Sequence, residues 1–451
     1  MNKTMKSGIL VFFALIVCAT TLIRVEPFDG TAFEHEKIQS YGKIWLYAED
    51  SLVKDGRKLI ETPYDWLVII TGMKNILPII FGALSAVMLY FLLLKLGIKE
   101  RTSFFSSLLM ILSPLFIFIF SLNNYYSMII FLNIAGLLCR NKKYLSAFCY
   151  CLLAFFGAAN FMLSIAALLI VNRYNKTIGL KKIIPALLVF TAHTIWMYLQ
   201  NAVFYPEIAY NEPGIISGIG ALNGVSAFFA ILVVTGIIQH WKENKQTIFM
   251  SLVLAACAVF YSSALNFALP VLSVLAGTGF SALLDQKWSA PYLKKMTLFI
   301  FILGILFSLI SYNTAILKEQ PTEEMIKGYE FMNGLPKGVI LTHASRGALA
   351  GTLSRMPSLL DENPYGIKNY EEKKSDSEKI FHTYELKNAA ALLRKNEVKY
   401  IAIDSEMKTG LVWEKENQEL LYLLGAKEYF KKIYSNSQIE IWLFDGAVNE
   451  T

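Results

Sequence analysis

Long apolar runs recur from the N-terminus to about residue 316 of this 451-residue chain, and they restrict its fold more than any other feature. A hydrocarbon core about 30 Å thick takes about 20 apolar residues of helix, so a run of that length predicts one membrane crossing. The composition agrees, because 55% hydrophobic and only 17% charged residues exclude a single water-soluble globule. The sequence therefore predicts a polytopic α-helical membrane protein with about eleven spans, whose cores are 9–23, 76–96, 104–122, 125–139, 144–158, 161–171, 183–199, 225–241, 248–262, 265–284 and 296–316.

Basic residues cluster in the short connections between these runs. With the spans above, every basic connection falls on the same side of the membrane as Lys3 and Lys6, and the positive-inside rule makes that side the cytoplasm. The formal charge of +7 therefore indicates membrane topology and no nucleic-acid partner. We expect a multi-pass protein of the cell (plasma) membrane, with a cytoplasmic N-terminus that is a retained signal anchor. The connections contain Lys95, Lys99 and Arg101; Arg140, Lys142 and Lys143; Arg173, Lys176, Lys181 and Lys182; Lys242 and Lys245; and Lys287, Lys294 and Lys295.

The first outward segment, residues 24–75, begins with a group of polar residues at the end of the first span. Arg24, Glu26, Asp29, Glu34 and His35 lie together in this otherwise charge-poor region. A carboxylate at this position, Asp29 above all, can bind a divalent cation or act as a general base. The alternative interpretation is a solvated acid or a helix N-cap, because Asp29 precedes a predicted interfacial helix.

Two further outward segments contain polar candidates. Segment 200–224 has Glu207 and Glu212 among aromatic, Pro and Gly residues, which fits either a lid over a cleft or an ordinary connector. Asn123 and Asn124 form a tight outer turn that can bind sugar hydroxyls or be no more than a polar interfacial turn.

The remaining residues, 317–451, have the charge-rich composition of a soluble domain. Segments 338–342, 398–404 and 438–444 are typical of strands, a helix precedes the second strand, and a hairpin turn is predicted at Asn436. The charged stretch YEEKKSDSEK is expected to be a solvated loop. The predicted organisation is thus a membrane domain, 1–316, and an extracytoplasmic α/β domain, 317–451.

Nucleotide-binding signatures are absent from the sequence. No Walker A motif occurs, and no GxGxxG follows a predicted strand. The sequence therefore predicts no nucleotide cofactor.

The order of these features resembles the C-type (GT-C) membrane glycosyltransferases, and in particular archaeal relatives of the oligosaccharyltransferase catalytic subunit. The resemblance rests on PFDGTAFEH, on PYDWLVIITG before the second span, and on the tail segments GVILTHASRGALAGTLSRMPSLLDE, VKYIAID and KIYSNSQIEIW. Two motifs of the family are missing. LTHASRG stands in place of the Trp-Trp-Asp-Tyr-Gly acceptor motif, and SLNNYY lacks the second acidic motif.

The resemblance implies a membrane glycosyltransferase that moves a sugar or oligosaccharide from a polyprenyl-(pyro)phosphate donor to a protein or lipid acceptor on the outer face. It implies that Asp29 is catalytic and helps to bind Mn²⁺ or Mg²⁺, and that Glu207 or Glu212 touches the acceptor. Arg24 is placed to meet the lipid phosphate. A catalytically degenerate membrane scaffold or glycolipid-binding protein is the alternative function. A transporter is disfavoured, because ionisable residues are nearly absent from the predicted spans.

Overall fold

A computed structural model describes the chain over residues 3–25, 53–54, 57–58, 62–73, 76–121, 125–140, 142–175, 184–199, 226–241, 264–318, 321–360, 369–415 and 418–445. The chain divides into two compact units. Unit 1 comprises Met1–Gly30 and Ile60–Lys318, and unit 2 comprises Thr31–Leu59 and Glu319–Thr451. The predicted interfacial helix within the first outer segment lies outside the described residues.

Unit 1 is helical throughout its described residues. Apolar residues dominate its helices on every face, as expected for helices surrounded by other helices and by lipid. The helices are α1 Lys3–Val25, α2 Pro63–Thr71, α3 Ile76–Lys95, α4 Glu100–Ile111, α5 Pro114–Phe120, α6 Tyr126–Leu138, α7 Lys143–Leu153, followed by a 3-10 turn Ala154–Phe156, then α8 Ala158–Asn175, α9 Ile184–Leu199, α10 Ala227–His240, α11 Ala264–Asp285 and α12 Pro291–Lys318.

Three described helices are long and apolar enough to cross a membrane by themselves. They are the segments Ile76–Lys95, Leu265–Asp285 and Pro291–Asn313, and the bent pair α4–α5 makes a fourth if it is one span. Six further apolar helices are shorter than this criterion requires. The membrane character predicted from the sequence is supported, and the number of about eleven spans stays a prediction.

The predicted span at 104–122 is bent. It consists of α4 and α5, which meet at an angle of 66°. Pro114 is the first residue of α5, and the residue before a proline is disfavoured in helical conformation, so Ser113 is extended at ψ 136°. Every residue of α5 is buried, which is where broken backbone is tolerated at membrane depth.

Basic side chains meet at one end of unit 1, which we call the basic end. Nζ of Lys6 lies 2.7 Å from Oε1 of Glu100, and Nη1 of Arg101 lies 2.7 Å from Oδ1 of Asp285. The lysines Lys95 and Lys294 donate to the backbone oxygens of Leu138 and Leu284, at the C-terminal ends of α6 and α11. Carbonyls at a helix C-terminus attract cations, so these lysines stabilise both helix ends.

Unit 2 contains a four-stranded mixed sheet in its described residues, with the strand order β3 (Val339–Leu341), β4 (Val398–Asp404), β6 (Ile439–Phe444) and β5 (Phe430–Ser435). The strands β3 and β4 are parallel, whereas β6 is antiparallel to both β4 and β5. Asn436 closes the predicted hairpin, since its Oδ1 accepts hydrogen bonds from the backbone of Gln438 and Ile439. The elements are β1 Val53–Lys54, β2 Arg57–Lys58, α13 Glu323–Asn333, β3 Val339–Leu341, α14 Ala344–Ser354, α15 Tyr370–Phe381, α16 Leu386–Lys395, β4 Val398–Asp404, α17 Glu419–Leu423, β5 Phe430–Ser435 and β6 Ile439–Phe444.

Two apolar cores, one on each face of this sheet, stabilise unit 2. The alternation along β4 places Ile401 and Ile403 in one core and Tyr400 and Ala402 in the other. Residues of α15, α16 and α17 belong to the first core, and residues of α13 and α14 to the second. A sheet covered by helices on both faces explains why β4 is apolar at nearly every position.

The predicted solvated loop YEEKKSDSEK is wrong, because this stretch forms most of α15. Ile380 and Phe381, which directly follow the charged stretch, are buried in the first core. Asp376 is buried as well, and its Oδ2 accepts hydrogen bonds from Lys395 and Asn396 at 2.8 and 3.0 Å. Tertiary packing thus decides the conformation of a segment whose own composition is polar.

Candidate functional site

Nearly all of the predicted site residues lie outside the described residues. This holds for Glu26, Asp29, Glu34 and His35 of the first segment, and for the four candidates of the other two segments, Asn123, Asn124, Glu207 and Glu212. Arg24 lies in the last turn of α1. The described elements that flank these segments nevertheless show from which end of unit 1 each segment leaves.

The first segment and the Asn123–Asn124 turn leave the same region of unit 1. Because α1 has 23 residues, it rises about 35 Å, and Arg24 lies far from Lys6 at the basic end. The side chain of Cys18 on α1 lies close to that of Ser121, which directly follows α5. The turn that contains both asparagines therefore begins beside the last turns of α1, at what we call the distal end.

Aromatic contacts connect this turn with the helix that precedes Glu207 and Glu212. The ring of Tyr125 stacks on that of Phe156 with a centroid distance of 6.1 Å. The adjacent Phe155 contacts His193 on α9 at 4.7 Å, and His193 stacks on Trp196 at 5.9 Å. Residue 199, the end of α9, is thus close to the same group of aromatic rings.

The start of α10, which follows segment 200–224, also lies away from the basic end. Phe228 packs against α12, where a Cβ added to Gly304 would lie 2.4 Å from its ring. Gly304 is about 20 Å along α12 from Pro291, which lies close to Lys294 of the basic end. All three segments that contain the candidate residues thus leave the distal part of unit 1.

A buried polar network beneath the distal end was missed from the sequence. Nδ2 of Asn133 donates to Oγ of Ser164 at 3.0 Å, and this hydroxyl donates to the backbone oxygen of Asn160 at 2.8 Å. Nδ2 of Asn160 donates to the backbone oxygen of Phe156, whose ring stacks on Tyr125. Asparagine inside an apolar run was the available signal, because a polar group in a span needs a buried partner.

In unit 2, a second polar cluster lies at the carboxyl ends of the parallel strands β3 and β4, within the LTHASRG segment. Nε of Arg346 donates to Oδ2 of Asp404 at 2.9 Å, and Nη2 of the same guanidinium contacts Glu406. His343 caps α14, since its Nδ1 accepts from the backbone N–H of Ser345. Ligands of α/β sheets bind at this kind of position, which makes the cluster the candidate site of unit 2.

The protonation states of this cluster follow from its burial and charges. Burial would lower the pKa of Arg346, but the Asp404 and Glu406 carboxylates outweigh it and raise the pKa. Burial lowers the pKa of His343, so this imidazole is neutral at pH 7. Burial and the nearby Asp404 both raise the pKa of the Tyr329 hydroxyl. The cluster therefore holds the Arg346 cation together with the neutral side chains of His343 and Tyr329.

No metal site is found in the part of the chain that the structure describes. Among those residues, no group of three or more His, Cys, Asp or Glu side chains could hold a metal ion. Asp29, the tentative metal ligand, lies outside them.

Solved structures of an oligosaccharyltransferase and of ArnT share the fold of the chain. The archaeal oligosaccharyltransferase AglB from Archaeoglobus fulgidus, in complex with an inhibitory peptide and a dolichol-phosphate, has a TM-score of 0.56 at 12% identity, over 95% of this chain and 72% of that chain. The oligosaccharyltransferase of the same organism in complex with Zn and sulfate has a TM-score of 0.52 at 13% identity, over 95% and 71%. ArnT from Cupriavidus metallidurans, bound to undecaprenyl phosphate, has a TM-score of 0.50 at 12% identity, over 97% of both chains.

These likenesses concern the fold, since the identities are low. No protein-family model and no curated protein matches the sequence. The resemblance to GT-C glycosyltransferases that the sequence motifs indicated is confirmed at the level of the fold.

Proposed function

We propose that the protein is a membrane glycosyltransferase that moves a sugar or oligosaccharide from a polyprenyl-(pyro)phosphate donor to a protein or lipid acceptor on the outer face. The observation that carries this proposal is the fold shared with AglB and ArnT over 95% and 97% of the chain. Both neighbours were solved with a polyprenyl phosphate, and AglB also with a peptide. The common ligand chemistry supports a lipid-linked donor for this chain.

The proposed site lies at the distal end of unit 1, because all three candidate segments leave from that region. Asp29 deprotonates or orients the acceptor hydroxyl or amide, and the lipid phosphate leaves as the glycosidic bond to the acceptor forms. Arg24 pairs with the phosphate, and Glu26, Glu34 and His35 line the same segment. Asn123 and Asn124 bind sugar hydroxyls, whereas Glu207 or Glu212 contacts the acceptor.

A divalent cation, Mn²⁺ or Mg²⁺, is proposed at Asp29. The Zn and sulfate complex of the neighbouring oligosaccharyltransferase supports this part of the proposal. Oxygen ligands suit both proposed cations, and Asp29 supplies a carboxylate. When bound, the ion would neutralise charge on the leaving phosphate.

The test is sugar transfer by the full-length protein in lipid nanodiscs, with radiolabelled sugars on undecaprenyl phosphate and on dolichol phosphate. We expect labelled protein or lipid acceptor, and a loss of at least about 100-fold for Asp29→Asn. Asp285→Asn is the matched control, because Asp285 is an exposed acid that pairs with Arg101 at the basic end. Full transfer by Asp29→Asn would exclude the proposed role of this carboxylate.

The alternative, a degenerate scaffold or glycolipid-binding protein, has its own signature in the same experiment. LTHASRG in place of the family's acceptor motif favours it. Under this alternative, the purified protein retains the lipid-linked donor but does not transfer its sugar, whether or not Mn²⁺ or Mg²⁺ is added. That result would favour the scaffold or glycolipid-binding function.

A further inference from the structure

The basic end carries more positive charge than its own acids neutralise. Glu100 pairs with Lys6, and Asp285 pairs with Arg101. The four lysines Lys99, Lys142, Lys287 and Lys295 are exposed, and none has an ion pair with a described residue.

The same contacts place these four lysines at one end of unit 1. Lys99 directly precedes Glu100, whose carboxylate binds Lys6. Lys142 donates its backbone N–H to Cys139, beside the Leu138 carbonyl that accepts from Lys95. Lys287 lies in the connection between Asp285 and Lys294, and Lys295 directly follows Lys294. Helices that are far apart in sequence thus present one basic surface.

Aromatic side chains surround this surface in the pattern of a membrane interface. Tyr144 follows the start of α7 and is 85% exposed, and Tyr292 follows the start of α12 and is 65% exposed. The indole N–H of Trp288 donates to the backbone oxygen of Leu283 at 3.2 Å. Tyrosine and tryptophan are favoured at the headgroup level of a bilayer, which supports the assignment of the basic surface to that depth.

We propose that the basic end is a binding surface for anionic phospholipid headgroups. The residues that bind the headgroups are Lys99, Lys142, Lys287 and Lys295. Charge complementarity and the aromatic residues around the surface favour a lipid over a soluble anion. The two ion pairs and the two lysines that cap helix ends are occupied within the protein, so they act as the rigid frame of the surface. Neither sugar transfer nor the distal site is involved in this binding.

The test is native mass spectrometry of the full-length protein with phosphatidylglycerol and phosphatidylcholine of identical acyl chains. Each ammonium near an anionic surface contributes about a fivefold factor. The wild type should therefore bind phosphatidylglycerol in preference to phosphatidylcholine. The preference should fall about fivefold in each single Lys→Gln variant and should nearly disappear in the quadruple variant.

The matched control is the quadruple variant Lys374, Lys387, Lys427 and Lys431→Gln, which removes the same charge from exposed positions of unit 2. It should keep the preference. Equal losses in the two quadruple variants, or a wild type without preference, would overturn the proposal. A salt titration of the wild type gives a check that needs no variant, since about 0.5 M ammonium acetate, a volatile salt that suits this measurement, should abolish the preference. Because the readout is lipid binding, a failure here leaves the transfer assay and its Asp29→Asn outcome unaffected.

Discussion

Nε of Arg346 lies 2.9 Å from Oδ2 of Asp404, a carboxylate with no solvent exposure at the end of β4. The other carboxylate oxygen, Oδ1, accepts the backbone N–H of Met407 at 2.8 Å. The outer part of the guanidinium contacts Glu406, whose side chain is 61% exposed. One arginine thus joins the start of α14 to the turn after β4, with a buried and an exposed partner.

Loss of Arg346 should destabilise unit 2 far more than loss of Glu406. Arg346→Leu leaves a buried carboxylate without its cation, which should lower the free energy of unfolding by about 3 kcal/mol. Glu406→Gln removes a solvent-screened pair and should cost at most about 1 kcal/mol. Urea-dependent proteolysis of unit 2 in the full-length, detergent-solubilised protein measures both values. Equal effects of the two substitutions would show that Asp404 does not depend on this guanidinium.

The stability of unit 2 should also depend on pH through Glu440. Burial raises the pKa of this carboxyl, but hydrogen bonds from Lys408 and Lys432 outweigh it, so the pKa lies below its ordinary value of 4.5. A lowered pKa in the folded state means that the stabilisation is present above pH 4.5 and is lost as the pH falls through the folded value. Glu440→Gln should cost about 1 kcal/mol at pH 7.

The matching measurement is the same proteolysis assay for wild type and Glu440→Gln between pH 7 and pH 3. The difference between the two proteins should shrink as the pH falls, because the wild-type carboxyl becomes protonated. A difference that stays constant over this range would mean that Glu440 contributes through packing alone.

How well the sequence predicts the structure depends on how far apart along the chain the interacting residues lie. Apolar runs and alternating strands report burial directly, so the helices around 76–95 and 265–285 and the strand at 398–404 were predicted. The bend at Pro114 has a local signal in its proline, but the apolar run hides it. Helix α15 has none, because its burial depends on contacts with other segments.

The candidate sites show the same limit. Arg346 and Asp404 are 58 positions apart, and Asn133 and Ser164 are 31 apart, so no spacing rule predicts either pair. Asp29 was predicted from its place after the first span, together with a family resemblance. Its role stays a prediction, since it lies outside the described residues.

The contact between Cys18 and Ser121, which helps to define the distal end, can be tested by cross-linking. Side chains that lie this close can form a disulfide, so Ser121→Cys should be oxidised with Cys18 by copper phenanthroline. The other cysteines, Cys139, Cys149, Cys151 and Cys257, are first replaced by alanine. Intact-mass analysis after alkylation should show two fewer alkyl groups on the oxidised protein than on the reduced protein.

Ser113→Cys is the control in the same background, because Ser113 lies at the other end of α5. Its position is about 12 Å along the helix from Ser121, so it should stay reduced and alkylated. Oxidation of the Ser113→Cys protein with failure of the Ser121→Cys protein would contradict the described packing of α1 against α5.

The close contact between α10 and α11 should tolerate no side chain larger than hydrogen at its glycines. A Cβ at Gly236 on α10 would lie 1.9 Å from the backbone oxygen of Leu275 on α11, and one at Gly279 would lie 2.1 Å from that of Leu232. Backbone atoms cannot move aside as a flexible side chain can, so Gly236→Ala must separate the two helices. Small residues at such crossings permit the close backbone packing that holds membrane helices together.

We expect Gly236→Ala to cost about 3 kcal/mol, whereas Gly8→Ala on α1, where nothing lies within 4 Å, should be neutral or stabilising by up to about 1 kcal/mol. Thermal unfolding of both variants in the same detergent gives the comparison, and a Gly236→Ala protein as stable as Gly8→Ala would show that α10 and α11 do not cross at these glycines.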